Sequence, residues 1–174
     1  MKNLVNNRIK NALTRLYYYD KEILNNDSHE RSITHWLAVH LKTVFYEWDV
    51  DVEYNRNLGD IKSLDRATMQ LFEMIKPEEL ATGRKSVYPD IIVHKRNTTN
   101  NHVVIEVKKT KPNEVLEDFD KIKLKSYLVD SSLNYQFAAF IKLGRSTDRP
   151  RYSIELKTKD EVLSEITQGE LNFR

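Results

Sequence analysis

The chain of 174 residues has no cysteine, only four glycines and four prolines, and no apolar run near the roughly 20 residues that span a membrane. Without cysteine there are no disulfides, no zinc–thiolate sites and no thiol nucleophile. No glycine-rich phosphate loop is present, so an ATP-driven activity housed in this chain is not expected. The first residues, Met1-Lys2-Asn3-Leu4-Val5-Asn6-Asn7-Arg8, lack an apolar signal core, which makes a cytoplasmic protein the expectation and argues against a membrane partner. Repeats and low-complexity tracts are missing too. The formal charge of +2 is close to neutral, so the charge of the whole molecule does not announce a polyanionic partner.

What is present describes a soluble globular protein. Forty per cent of the residues are hydrophobic and 31% charged, and the length suits one domain, residues 1–174, with an N-terminal helix over about 1–25 packed on its core. In that first helix, read over Leu4 to Leu24, Val5, Ile9, Ala12, Leu13 and Leu16 share one side. Tyr17, Tyr18 and Tyr19 cannot all face the same way. Val50, Val52 and Tyr54 alternate with Asp51 and Glu53 as in a half-exposed strand. Leu64 to Ile75 reads as a helix, and Pro77 to Ser86 as a polar connection.

The chemistry concentrates further on, in Tyr88-Pro89-Asp90-Ile91-Ile92-Val93 and Val104-Ile105-Glu106-Val107-Lys108. Both segments are short, β-branched and bounded by turn residues, with Pro89 opening the first and Lys95 to Asn101 separating them, so an antiparallel hairpin is predicted. Glu106 and Lys108 are two apart and share a face. Asp90 joins that face if the loop is centred on Thr98 or Thr99, whereas a slip of one residue turns it away. Neighbouring strands lie only about 4.8 Å apart, close enough for Asp90 and Glu106 to share one hard cation. Two carboxylates and a lysine are what metal-dependent phosphodiester cleavage requires. A cation held by oxygen ligands stabilises the extra negative charge of the transition state and acidifies a bound water, and a lysine orients that water or adds charge.

Pro89-Asp90, a spacer and Glu106-Val107-Lys108 resemble the signature of the PD-(D/E)XK nuclease superfamily. The resemblance implies a restriction-endonuclease-like α/β fold, a three-layer sandwich with a central mixed sheet flanked by helices. It further implies Mg²⁺ or Mn²⁺ held by Asp90, Glu106 and the Val107 carbonyl, with Lys108 as the catalytic lysine. Members often carry an acid on a preceding helix, and Glu30 fits that place, adding it to the metal-binding and catalytic set. Glu30 has a second reading, as the third residue of a helix capped by Asp27 or Ser28, reaching back in a capping box. Ile33, Leu37, Leu41 and Val44 follow it at helical spacing.

Downstream, Glu114 to Val129 reads as a helix and Tyr135 to Ile141 as a buried strand, giving a crossover after the Glu106 strand. Branches similar to RecB-type nucleases carry glutamine four residues before a tyrosine in this helix. Here Lys123 stands four before Tyr127. Ten lysines and arginines against six acids lie between Arg84 and Lys125. Lys109, Lys111, Lys121, Lys123 and Lys125 are thus candidates for contacting the phosphates of a nucleic acid, DNA before RNA, unless the helix lysines form a solvated face balanced by Glu117, Asp118 and Asp120. His29, His35 and His40 do not stack on one helical face, so zinc is not expected there; His94 is expected near the surface at its strand's end.

The leading reading is a Mg²⁺-dependent nuclease, an endonuclease acting on DNA, with a homodimer suited to cutting both strands. A second is a non-catalytic module of the same fold that binds nucleic acid or protein. In the third, a structural protein, Asp90 is a turn residue and Glu106 and Lys108 form a surface ion pair.

Overall fold

The computed structural model describes residues 1–26, 29–54, 56–57, 60–61, 63–65, 68, 84–86, 88–110, 117–145 and 149–168. Helix α1 (Lys2–Tyr19) buries Val5, Ile9, Ala12, Leu13, Leu16 and Tyr17 at three- and four-residue spacing, and leaves Tyr18 and Tyr19 exposed. The chain then breaks at Asp20, at φ −123° and ψ 26°, before the short α2 (Lys21–Asn25). One continuous helix to Leu24 was the expectation. The Asp20 carboxylate lies 2.6 Å from Nε2 of buried His40 on the next helix, a tertiary contact that the local apolar pattern does not contain.

Helix α3 (Glu30–Val44) lays Ile33, Leu37 and Leu41 into the core, each almost wholly buried. Truncating one of them, as in Leu37→Ala, costs about 2–5 kcal/mol through lost burial and the cavity left behind. Strand β1 (Asp49–Val52) follows, then two small antiparallel pairs, β2 (Arg56–Asn57) with β3 (Asp60–Ile61) and β4 (Ser63–Asp65) with β5 (Arg84–Ser86). The predicted helix from Leu64 is therefore wrong at its start. Leu64 is a buried strand residue opposite Lys85, and long-range pairing overrides the helical spacing there. The rest of that predicted helix, apart from Thr68, and residues 77–83 of the polar connection lie outside the described residues.

Strands β6 (Ile91–His94) and β7 (Asn101–Lys109) form the expected hairpin, with Asn97 in its loop at φ 59°, a value asparagine tolerates. Helix α4 (Glu117–Val129) leads to β8 (Phe137–Leu143), parallel to β7, and then come β9 (Tyr152–Thr158) and α5 (Lys159–Thr167). The five-stranded sheet runs β1-β6-β7-β8-β9, antiparallel except at β7/β8. Alternation along the strands divides the core. Ile91, Val93, Ile105, Val107 and Ile141 pack with α1 and α3 on one face; Ile92, Val104, Ala138 and Phe140 pack with α4 and Val162 of α5 on the other. The result is an α/β architecture with a mixed sheet and helices on both faces.

β9 and α5 were not read from the sequence, although a signal was there. Thr158 and Glu161 form a capping box, the Thr158 hydroxyl accepting from the Glu161 N–H at 3.3 Å and the Thr158 N–H donating to the Glu161 carboxylate at 2.8 Å. No described helix is long and apolar enough to cross a membrane.

Candidate functional site

Ile91 pairs with Ile105, Ile92 with Val104 and Val93 with Val103, a register that puts Asp90 opposite Glu106 one step further on, and it shifts between Val93 and His94, which pairs with Asn101. Continuing across the sheet, Glu106 pairs with Phe140 and Phe140 with Glu155, all on the face covered by α4. The Val107 N–H donates to Asp90 Oδ2 at 2.8 Å, which fixes one oxygen of that carboxylate and leaves the other for a second partner.

Glu106 is 2% exposed. Burial, reinforced by the neighbouring charge of Asp90, pushes its pKa up to about 8, against the opposing pull of Lys123. The Lys123 ammonium lies 2.9 Å from Oε1. Burial raises the Asp90 pKa as well, with the Val107 N–H and then Lys123 working against it.

Lys108 is caught between two acids, its Nζ 3.1 Å from Asp120 Oδ2 and 3.4 Å from Glu30 Oε1. Burial alone depresses a lysine pKa, but these acids outweigh it and hold Lys108 above its usual value. At neutral pH it is an ammonium, suited to donating hydrogen bonds and supplying charge; it is not a ready base. Glu30 also accepts from the Lys109 N–H at 3.2 Å. It is the first residue of α3, with His29 as N-cap and no side-chain cap, so the capping box with Glu30 at its third position does not form. The carboxylate reaches the end of β7 instead. Asp27 and Ser28 lie outside the described residues.

The structure thus gathers Glu30, Asp90, Glu106 and Lys108, and it adds two residues the sequence reading missed. Asp120, treated there as a balance for the helix lysines, pairs with Lys108. Tyr127 is 1% exposed, in the field of Glu106, and its hydroxyl has no hydrogen-bond partner among the described residues. Burial and Glu106 push its pKa well up, so it stays neutral. The spacing of Asp120, Lys123 and Tyr127, three and then four residues, places all three on one face of α4 and is the signal that went unread.

The other helix lysines are engaged as well, Lys121 with Glu155 at 3.2 Å and Lys125 with Glu165 at 2.9 Å. Among the described residues their partners come from β9 and α5; of the three acids named for a balanced helix face, Asp120 goes to Lys108 and the side chains of Glu117 and Asp118 lie outside the described ones. Lys109 is half-buried at the end of β7, and Lys111 lies outside the described residues. His94 is no surface residue: 2% exposed, it places Nε2 2.8 Å from Asp51 Oδ2, because β1 and the Tyr54 ring close over its end of the strand.

Among the described residues, no three histidine, aspartate or glutamate side chains are grouped to ligate one ion. The donor set nevertheless suits a hard divalent cation. Four acids, Glu30, Asp90, Glu106 and Asp120, face two cations, Lys108 and Lys123, leaving a formal −2. In the protein alone burial, and for Glu106 the neighbouring Asp90 charge as well, favours protonation of Asp90 and Glu106. The unpartnered Tyr127 hydroxyl offers a further polar group there. Comparison of the chain with protein-family models, curated proteins and solved structures finds no match.

Proposed function

We propose that the protein is a metal-dependent nuclease of restriction-endonuclease-like fold that hydrolyses phosphodiester bonds, of DNA before RNA. The observation that carries this reading is the Asp90–Glu106 row, two carboxyl groups drawn together out of water with one ammonium on Glu106, beside a second ammonium held between two further acids. A protein with no use for a cation has little reason to bury two mutually repelling carboxylates.

In this reading Asp90, Glu106 and the Val107 carbonyl hold Mg²⁺ or Mn²⁺, all of them hard oxygen donors. When bound, the ion supplies charge against the phosphate and acidifies a water. The chain's own residues do the rest. Glu30 and Asp120 keep Lys108 protonated and aimed, so that its ammonium donates to a phosphate oxygen or orients the attacking water. Burial around Glu106 keeps bulk water away and strengthens each of these interactions. Glu30 thereby acts through Lys108; as it stands, it is not part of the Asp90–Glu106 pair.

A non-catalytic module of the same fold is the second reading, favoured by one observation: Lys123 already occupies Glu106, its ammonium 2.9 Å from Oε1. The deciding experiment incubates purified wild type and Glu106→Ala with plasmid DNA, single-stranded DNA and RNA in Mg²⁺ or Mn²⁺. Cleavage by wild type that is lost in the variant supports the nuclease. No cleavage by wild type under either metal, or equal cleavage by both proteins, removes it in favour of binding.

A further inference from the structure

Lys123 brings a positive charge onto the Asp90–Glu106 pair. Its ammonium lies 2.9 Å from Glu106 Oε1, and both side chains are withdrawn from water, 17% and 2% exposed. The same charge also acts on the Asp90 carboxylate. The contact with Oε1 is a close one whose geometry falls short of a well-formed hydrogen bond. An ammonium held without a well-aligned hydrogen bond is the easier to exchange, since directional charge-assisted hydrogen bonds are the stronger anchor. Its flexible four-carbon stem, rooted on α4, lets the head group withdraw without moving the helix.

We infer that Lys123 and a divalent cation are alternative counter-ions of the Asp90–Glu106 pair, so that the ion binds by displacing Lys123 and this lysine sets the metal affinity. The inference rests on the metal-site reading above and assigns that site a built-in competitor. A competitor that occupies the pair more than about nine-tenths of the time weakens apparent metal affinity about tenfold or more, because affinity scales with the fraction of the competent state. Linkage makes the effect mutual: the ion must free Lys123 as surely as Lys123 opposes the ion.

The test is calorimetric titration of Mn²⁺ into wild type, Lys123→Met, Lys123→Arg and Lys121→Met, together with reductive methylation of wild type read at Lys123 by mass spectrometry. The expected result is affinity about tenfold or more tighter in Lys123→Met, unchanged in Lys121→Met and no tighter in Lys123→Arg. Methylation of Lys123 should rise at saturating Mn²⁺ in wild type and stay level in Asp90→Asn. Lys123→Gln replaces the methionine variant if circular dichroism shows that variant unfolded. Equal Mn²⁺ affinity in wild type and Lys123→Met, or Lys123 labelling unmoved by saturating Mn²⁺, overturns the competition and leaves the metal site standing. Absence of Mn²⁺ binding in wild type and both Lys123 substitutions overturns the site, and the competition with it.

Discussion

Glu30 and Lys108, 78 positions apart in the chain, meet at 3.4 Å where the first turn of α3 reaches the end of β7. Together with Asp120 at 3.1 Å, Glu30 makes Lys108 a fixed, protonated group beside the Asp90–Glu106 row. Lys108→Ala should therefore lower cleavage by roughly 10² to 10⁴-fold, the range for a lost group of this kind. Because these side chains are partly exposed, the cost in stability should stay near 1 kcal/mol, and Mn²⁺ should still raise the melting temperature. Cleavage rates and thermal melts of both proteins check this; equal rates would remove Lys108 from the chemistry.

Asp90 should decide metal binding. An ion that binds only the folded state adds about 2.7 kcal/mol at a concentration 100 times its Kd, or roughly 5–10 °C in Tm for a chain of this size. Asp90→Asn retains the shape and the acceptor for the Val107 N–H but removes the charge, so it should fold and lose most of the shift. Differential scanning fluorimetry with and without Mn²⁺ reads this directly, and equal shifts in the two proteins would place the ion elsewhere.

The pH dependence follows from Glu106. In the folded protein it keeps its proton up to about pH 8, whereas the unfolded chain releases it near 4.5. Its contribution to stability is thus present in full below pH 4.5 and lost as pH rises through 8, and Asp90, also shifted upward, acts in the same sense. In chelator, wild type should lose stability across that window more steeply than Glu106→Gln, which has no proton to release. Urea midpoints at a series of pH values supply the comparison; parallel curves would show that Glu106 does not titrate there.

Lys121 and Lys125 test the nucleic-acid surface. Each is paired with a glutamate, Glu155 and Glu165, so phosphate contact requires exchanging one anion for another. If both make that exchange, Lys121→Gln/Lys125→Gln should weaken DNA binding and reduce the slope of log K against log salt by about 2. Fluorescence anisotropy between low and moderate salt measures it. An unchanged slope would move the binding surface off α4.

Particular residues show how much of this was legible beforehand. The β6–β7 hairpin was, because alternating apolar residues around a polar loop specify the strands; the facing of Asp90 and Glu106 was not settled by the loop, whose end is shifted in register between Val93 and His94. The buried stripes of α1 and α3 were legible for the same kind of reason, a period of 3.6. The break at Asp20 was not, since it coincides with a contact to His40, nor was the strand at Leu64, whose partner lies at Lys85. His94 looked peripheral until β1 and Tyr54 closed over it.

By itself, then, the sequence determined the elements whose periodicity is local and the residue types able to do oxygen-ligand and ammonium chemistry. Only the tertiary structure decided which charge meets which. It took Asp120 from its helix neighbours and gave it to Lys108, set Lys123 on Glu106, and carried Glu30 from a cap to the end of β7. The physical reason is that ion pairing depends on distance and burial, and both are properties of strands and helices brought together from far apart in the chain.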